Sequence, residues 1–343
     1  MSETISIREQ TEAFEYEFLS PYAAHARESA GRLLFEEPCD IRTCWQRDRD
    51  RILHSKSFRR LKNKTQVFLE PEGDHYRTRM THTLEVSQIA RTIAKALRLN
   101  EDLTEAIALG HDLGHTPYGH SGESALNEIL MEAGIGHFCH NEQSVRIVEH
   151  IEKNGEGLNL TRETVDGILN HGTNATPSTL EGAVVRLSDK IAYINHDIDD
   201  AIRAGVLEET DIPAVYTDVL GHSVKDRLNT LVHDIIKTSS GKDQVLQSPE
   251  VAEAMKELRA FMFEAVYKNP VVKQEEVKAK GMLRALYVYY MTHFDEIPES
   301  YRALMAGGDR EEIIVCDYIS GMTDQYAVYK YCELFVPRGF EGN

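Results

Sequence analysis

The chain has 343 residues, 41% of them hydrophobic, which is enough to bury a core in one large domain or two modest ones. No stretch approaches the roughly 18 uncharged apolar residues of a membrane span, so we expect no membrane association. The formal net charge of −18 argues against extended nucleic-acid binding, because a phosphate backbone requires a broad basic surface.

The N-terminal segment and the cysteines favour a cytoplasmic location. Residues 1–17 are acidic and polar, with neither a basic start nor an apolar run, so we expect no signal peptide. The cysteines are an odd number and none forms a C-x-x-C pair, so we expect neither a disulfide framework nor a cysteine zinc site. They are Cys39, Cys44, Cys139, Cys316 and Cys332.

Helical periodicity dominates the sequence and predicts an all-α fold. We divide the chain into a partly helical lead-in (1–45), a region that holds nearly every His-rich and Gly-rich feature (46–205) and a helical C-terminal region packed on it (206–343). The last region includes predicted helices at Val251–Tyr267 and Gly281–Thr292. The exception to helix is Val67–Tyr76, where proline and glycine predict a turn or a short β-hairpin.

Positive charge is concentrated on either side of this predicted turn. The residues are Arg59, Arg60, Lys62, Lys64, Arg77 and Arg79. Charge alone leaves two interpretations open, a solvated face and a cationic pocket for a polyanion.

The first helix of interest is predicted for Thr81–Leu97. Apolar residues recur at helical spacing from Val86 onward, and His82 lies on the same stripe. A histidine in this position is either a hydrogen-bonded core residue or a buried metal ligand, and the pattern leaves both open.

A second helix is predicted from Asp102, as its N-cap, to Leu113. It is apolar on nearly every face from Ala106 onward, which is typical of a buried helix, yet it carries His111 and Asp112 side by side. A buried carboxylate is costly without a partner, so this pair favours a metal site.

A third helix is predicted for Leu180–Ile202. Asp189, Tyr193 and Asp197 recur every four residues, roughly opposite its apolar stripe. Spacing leaves open whether they form the wet side of the helix or line a polar pocket.

Histidines are dense after the second helix, where a loop rich in Gly and small polar residues spans Gly114–Gly122. Glu123 follows His120 by three residues. Between residues 111 and 140 there are five histidines, namely His111, His115, His120, His137 and His140. Such a cluster on a loop leaving a buried helix favours catalysis over packing.

These residues match a known pattern. His82, His111-Asp112 and Asp189 fit the H…HD…D signature of the HD superfamily. Longer strings resemble its dGTPase and dNTP triphosphohydrolase branch, over roughly residues 39–335 and in the right order: FRRLKNKTQVF (58–68), TRMTHTLEV (78–86), HDLGHTPYGHSGE (111–123), FCHNEQS (138–144), SDKIAYINHDIDD (188–200) and YISGMTDQYA (318–327). One departure is Gln325, where many relatives are expected to have Arg.

The resemblance implies a metal-dependent phosphohydrolase with the helical bundle of an HD domain. His82, His111, Asp112 and Asp189 would hold one divalent ion. Two imidazoles and two carboxylates suit Mn²⁺, Fe²⁺, Co²⁺, Ni²⁺ or Mg²⁺. A second Mg²⁺ would arrive with the triphosphate.

The resemblance also implies hydrolysis of a deoxynucleoside triphosphate at the α-phosphorus, which gives a deoxynucleoside and inorganic triphosphate. His120 would be the general acid and Glu123 would orient it, while His115 and His140 would contact phosphate.

Five further positions match residues that contact substrate in this family. Arg79 and Lys190 would bind phosphate, Tyr193 would exclude a ribose 2′-OH, Asp197 would accept from the 3′-OH, and Gln66 would read the sugar or base. Closed homo-oligomers, tetramers or hexamers, are also implied.

Two alternatives stay open. One is an HD phosphohydrolase acting on another nucleotide, and the other is a regulatory nucleotide-binding protein with little turnover. The six matching metal and acid positions argue against an inactive protein, whereas base preference and any activator site cannot be derived from the sequence.

Overall fold

A computed structural model of the chain describes residues 5–66, 77–267 and 270–337. Regular structure in this part is helical, with two isolated β-bridges and no strand, which confirms the all-α prediction. The turn or hairpin predicted for Val67–Tyr76 lies outside the described residues. None of the described helices is both long and apolar enough to cross a membrane.

The helices up to residue 203 are α1 (Ile7–Phe18), α2 (Cys44–Leu53), α3 (Lys56–Arg60), α4 (Arg79–Leu97), α5 (Glu101–Gly110), α6 (Gly119–Glu132), α7 (His140–Arg146), α8 (Glu152–Gly155), α9 (Arg162–Leu169) and α10 (Leu180–Arg203). Those that follow are α11 (Ala214–Leu220), α12 (Val224–Ser239), α13 (Pro249–Met262), α14 (Pro270–Thr292), α15 (Glu299–Arg302), α16 (Glu311–Ser320) and α17 (Asp324–Phe335). Short 3₁₀ and π turns join several of them.

The central unit consists of α4, α5 and α10, which pack against one another through their apolar faces. α4 begins at Arg79 because Thr78 caps it, accepting a hydrogen bond from the backbone N–H of Thr81. α10 begins at Leu180, where Thr179 performs the same role for Gly182. Both helices therefore match their predicted extents to within two residues.

The start and end of α5 differ from the prediction. Asn100, and not Asp102, is the N-cap, because its side chain accepts from the N–H groups of Asp102 and Leu103. Asp102 instead accepts a hydrogen bond of 2.8 Å from Gln46. α5 ends at Gly110, so His111 and Asp112 lie in the turn that leaves the helix rather than inside it.

Gly114 brings α7 close to this turn. A Cβ atom at this position would lie 2.2 Å from both the carbonyl oxygen of His140 and the nitrogen of Ser144, so only glycine fits. The Ser144 hydroxyl accepts from the Gly114 N–H and donates to the His111 carbonyl, each at 2.8 Å. The first turn of α7 is thereby fixed beside the end of α5.

The C-terminal helices pack in two places. α12 and α13 join the apolar core of α4 and α10, whereas α14, α16 and α17 form a second core with α6. The helix predicted for Gly281–Thr292 is α14, which begins eleven residues earlier. Its first turns carry charged side chains, and Val277 is exposed, so no apolar stripe indicated this part.

Candidate active site

The four predicted metal ligands meet where α4, α10 and the end of α5 converge. Nε2 of His82 lies 3.0 Å from Oδ1 of Asp189 and 4.0 Å from Oδ2 of Asp112. Nε2 of His111 lies 3.4 Å from Oδ1 of Asp112 and 3.7 Å from Oδ1 of Asp189. His82, His111 and Asp112 form a group that could hold a divalent metal ion, and Oδ1 of Asp189 adjoins both of its histidines.

The hydrogen bonding of His111 fits such an ion. Its Nδ1 lies 2.7 Å from the carbonyl oxygen of Ala108, which can only accept, so Nδ1 carries the proton of the neutral ring. Nε2 then presents a lone pair, and this buried atom has no hydrogen-bond partner among the described residues. A buried acceptor aimed at two carboxylates is explained by a cation between them.

Both carboxylates are ionised. Burial alone would raise the pKa of Asp112, but His115, His111 and Arg79 hold it well below its usual value. Arg79 donates from Nη1 to Oδ2 of Asp112 at 2.9 Å, in a pair that is almost fully buried. The pKa of Asp189 is likewise lowered against the effect of burial, chiefly by His82 and His111.

Four of the predicted catalytic residues form a second group beside the ligands. The two carboxylate oxygens of Glu123 contact different histidines. Oε2 lies 3.3 Å from Nδ1 of His120, and Oε1 lies 2.9 Å from Nδ1 of His140. These contacts hold the pKa of Glu123 well below its ordinary value although burial opposes them. His115 stacks on His140 with ring centroids 3.9 Å apart.

His115 links this group to the ligands. Its Nδ1 lies 2.9 Å from Oδ1 of Asp112, and burial together with the charge of Arg79 lowers its pKa well below the usual range. His115 is therefore neutral at physiological pH. His120 is the more accessible of the two histidines, with 59% of its side chain exposed.

His171, which no sequence motif indicated, completes the group. Its Nδ1 donates to the carbonyl of Ile168 at 2.7 Å, so its Nε2 accepts from Nε2 of His140 at 3.2 Å. Burial lowers the pKa of His171 to about 4, which keeps it an acceptor. Both ring nitrogens of His140 thus face acceptors, Glu123 on one side and His171 on the other.

A cavity of about 370 Å³ opens onto both groups. Arg79 and Lys190 line it, as the sequence predicted for phosphate-binding residues, and α13 adds Lys256 and Arg259. Burial and the charges of Arg186 and Arg259 lower the pKa of Lys190. A chain with net charge −18 therefore places four cationic side chains around this one cavity.

The six basic residues around the predicted turn do not line one cavity together. Of the six, only Arg79 lines the cavity. Lys64 is buried beneath it and donates to the carbonyl oxygens of His115 and Ser320. Arg77 is paired with Asp199 at 2.7 Å, and Arg59 and Lys62 are exposed.

Three of the predicted sugar- or base-reading residues share this region. Gln66 and Tyr193 line the cavity, and Oε1 of Gln66 is buried with no hydrogen-bond partner among the described residues. Asp197 is buried one turn beyond Tyr193 and does not line the cavity. Burial and the charge of Asp200 raise the pKa of Asp197 well above its usual value.

A larger groove, about 1000 Å³ in volume, lies beside α1 and contains none of these groups. Four of the arginines that line it form ion pairs with neighbouring carboxylates; for example, Arg8 lies 2.6 Å from Glu12, and Arg42 lies 2.7 Å from Asp50. We therefore assign the site to the smaller cavity.

Two further side chains adjoin the ligands and were not predicted. Nε2 of His196 lies 2.5 Å from Oε2 of Glu85, and Nδ1 of His196 lies 3.4 Å from Nδ1 of His82. His196 and the charge of Arg77 lower the pKa of Glu85 against the effect of burial. Helical spacing could have indicated both, because Glu85 follows His82 by three residues and His196 follows Asp189 by seven.

Comparison with known families agrees with this site. Residues 79–194 match the model of the HD domain, and residues 245–333 match that of the phosphohydrolase-associated domain. The first match contains all four metal-ligand candidates, and the second contains the α13 residues that line the cavity.

Similar proteins cover nearly the whole chain. A "deoxyguanosinetriphosphate triphosphohydrolase-like protein" of Caldanaerobacter subterraneus subsp. tengcongensis is 59% identical over 97% of this chain and 97% of its own length. Proteins of the same name from Clostridium perfringens and Desulfatibacillum aliphaticivorans are 50% and 48% identical, each over 97% of this chain and 99% of their own. The chain therefore belongs to the dGTPase-like family of HD-domain phosphohydrolases, as its motifs predicted.

Proposed function

We propose that this chain hydrolyses deoxynucleoside triphosphates at the α-phosphorus and releases the deoxynucleoside and inorganic triphosphate. The observation that carries the proposal is one cavity lined by His82, Asp112 and Asp189, by His120 and by four cationic side chains, with His111 and Glu123 directly behind these residues. The names of the related proteins support the substrate class.

The four ligand candidates would hold Mn²⁺, Fe²⁺, Co²⁺, Ni²⁺ or Mg²⁺. Such an ion lowers the pKa of water and polarises a phosphoryl oxygen. We further propose that a second Mg²⁺ accompanies the triphosphate, because two of the four cationic side chains are already paired, Arg79 with Asp112 and Lys256 with Glu253, and the four together would not balance its charge.

The leaving 5′ oxygen needs a proton, which His120 would donate. Its Nδ1 faces Glu123, which orients the ring and leaves Nε2 to hold the transferable proton. The His120 ring lies 6.2 Å from that of Tyr193, so a nucleoside seated against Tyr193 would bring its 5′ oxygen near this nitrogen.

Phosphate oxygens would be bound on the opposite side. His140, whose two ring nitrogens face Glu123 and His171, stacks on His115, and these two imidazoles would contact the phosphate oxygens. Arg79 already pairs with Asp112, so it would both support a ligand and contact phosphate. Lys190, Lys256 and Arg259 would neutralise the rest of the triphosphate.

Sugar selection would fall to α10. The Tyr193 ring would pack against C2′ and crowd a ribose hydroxyl. Asp197, one turn further along, would accept a hydrogen bond from the 3′-OH, directly or through a neighbour, and Gln66 would use its buried oxygen on the sugar or base.

Product analysis in H₂¹⁸O tests the reaction. The protein is incubated with Mn²⁺ and each dNTP or NTP, and the products are separated by anion exchange and weighed by mass spectrometry. Attack at the α-phosphorus places ¹⁸O in the inorganic triphosphate and none in the deoxynucleoside. Asp112→Asn is the inactive control and Asp218→Asn, at an exposed carboxylate, is the matched one.

Two other outcomes would exclude the proposal. Phosphate or pyrophosphate as the primary product would indicate an HD phosphohydrolase of different specificity. Micromolar binding of dNTPs by the metal-loaded protein without any product would indicate a regulatory nucleotide-binding protein.

A further inference from the structure

Two side chains outside the proposed ligand set form a chain of contacts that ends on His82. Glu85 lies on α4, one turn after His82, and His196 lies on α10, facing both. Oε2 of Glu85 is 2.5 Å from Nε2 of His196, and Nδ1 of His196 is 3.4 Å from Nδ1 of His82. The two imidazole rings are almost perpendicular, with centroids 5.5 Å apart.

The order of these atoms determines where the protons lie. A carboxylate oxygen and an imidazole nitrogen 2.5 Å apart attract each other only if the nitrogen carries a proton, since two lone pairs would repel, although the angle of this contact is not that of a regular hydrogen bond. That proton belongs to Nε2 of His196, so Nδ1 of the neutral His196 ring is an acceptor. His82 then donates from its own Nδ1, which leaves a lone pair on Nε2.

This tautomer is the one that a metal ligand requires. Nε2 of His82 faces Asp189 at 3.0 Å and can bind a cation only if its proton is on the other nitrogen. His111 has the same tautomer for a different reason, because its Nδ1 donates to the backbone carbonyl of Ala108. One imidazole is thus fixed by backbone and the other by a carboxylate–imidazole pair.

We infer that Glu85 and His196 are positioning residues that fix the tautomer and orientation of His82 for the bound cation. The inference rests on the cation site of the proposed function but not on its substrate. Outer partners of a metal-bound histidine typically change metal affinity by about 10- to 100-fold.

Two near-isosteric substitutions separate the two contacts of His196. In His196→Asn the side-chain oxygen takes the place of Nδ1 and can still accept from His82, while the contact with Glu85 is lost. In His196→Gln the terminal amide takes the place of Nε2 and can still donate to Glu85, while the acceptor for His82 is lost. Glu105→Gln is the matched control, since Glu105 is a carboxylate paired with Arg49 and Arg91 outside this chain of contacts.

Mn²⁺ affinity of the intact protein, measured by calorimetry without nucleotide, is the first readout. We expect His196→Gln to weaken binding by about 10- to 100-fold, His196→Asn to keep most of the affinity and Glu105→Gln to match the wild type. Equal affinity in all the proteins, or equal losses in the Asn and Gln variants, would overturn the inference. Absence of Mn²⁺ binding by the wild type would contradict the cation site itself.

Proton NMR of the Co²⁺-loaded protein is the second readout. The wild type should show two hyperfine-shifted, slowly exchanging imidazole N–H signals, one from His82 and one from His111. His196→Gln should lose only the His82 signal, and the His111 signal reports that fold and metal are intact. Retention of both signals in this variant would show that His196 does not hold His82.

Discussion

Arg79 donates a hydrogen bond of 2.9 Å to Asp112, so a candidate metal ligand is also half of a buried ion pair. The two side chains are 2% and 4% exposed. Removing either partner of such a pair is costly because the other charge stays buried. Asp112 therefore contacts Arg79 and His115 at once, and in the proposed site it would also bind the metal.

Asp112→Ala is expected to abolish both cation binding and turnover. For the wild type, Mn²⁺ at 100 times its dissociation constant should add about 2.7 kcal/mol to the free energy of unfolding. The variant should show no such increase in a chemical denaturation series with and without Mn²⁺. A variant that keeps the increase together with full turnover would contradict the ligand assignment.

His120→Ala is expected to leave the cation in place and to lower kcat by about 10²- to 10⁴-fold, the usual scale for a general acid. Metal content and steady-state rates on a dNTP check this. His137→Ala is the matched control, because His137 belongs to the same histidine-rich stretch but is exposed and contacts only Glu142 among the described residues. An unchanged rate for His120→Ala would remove this residue from the mechanism.

Tyr193→Ala should relax selection of the sugar. If the ring crowds C2′, its removal raises kcat/KM for an NTP relative to the matching dNTP, and Tyr193→Phe should not, because the ring is kept. The ratio of the two specificity constants is the measurement. An unchanged ratio in Tyr193→Ala would place sugar selection elsewhere.

Lys64 should make stability depend on pH. Burial lowers its pKa in the folded protein to about 7 from 10.5, so between these values the unfolded state binds more protons. Stability must then rise with pH across this window, by up to about 1.4 kcal/mol per unit from this group, and the contribution is lost as pH falls to 7.

Lys64→Met tests this dependence, with Lys62→Met as the matched control at an exposed position. Urea denaturation at pH 7, 8 and 9 gives the free energy of unfolding of each protein. With each step up in pH, the free energy of unfolding of the wild type should increase relative to that of Lys64→Met. Its difference from the free energy of unfolding of Lys62→Met should stay constant. Parallel curves for the wild type and Lys64→Met would show that Lys64 does not titrate in this window.

The residues at the centre of the candidate site could be chosen from the sequence because they lie in strong local patterns. His111 and Asp112 follow a buried apolar helix, where an acid without a partner would be costly, and this argument needs no knowledge of the fold. The spacing of Asp189 and Tyr193 on one side of α10 left two interpretations open. The structure brings both residues into the cavity because the apolar stripe of α10 packs on α4.

The site residues that the sequence did not indicate are brought to the site by contacts between segments that are distant in the chain. His171 follows a short helix with no distinctive pattern, and only the fold brings it 3.2 Å from His140. Lys256 and Arg259 lie on a polar face of α13 that looks like any solvated helix surface. At the start of α5, Asn and Asp are both residue types that favour the N-cap, so the sequence does not distinguish Asn100 from Asp102. In the fold, the side chain of Asp102 accepts a hydrogen bond from Gln46 and does not cap the helix.

Several expectations stay predictions. These are the divisions near residues 45 and 205, the cytoplasmic location, and assembly into tetramers or hexamers. Gln325 is exposed in the first turn of α17, where it is available for contacts between copies of the chain. Size measurement of the wild type and Gln325→Arg would show whether it affects assembly.

Gly114 makes the site an assembly of two separate parts. His111 and Asp112 are carried by the end of α5, whereas His140 is carried by the start of α7, and the two segments touch at a residue without a side chain. A methyl group at this position would clash with the backbone of α7, so the two segments could not keep their present separation. If the proposed function holds, this close approach sets the distance between the residues that would load the cation and those that would support turnover.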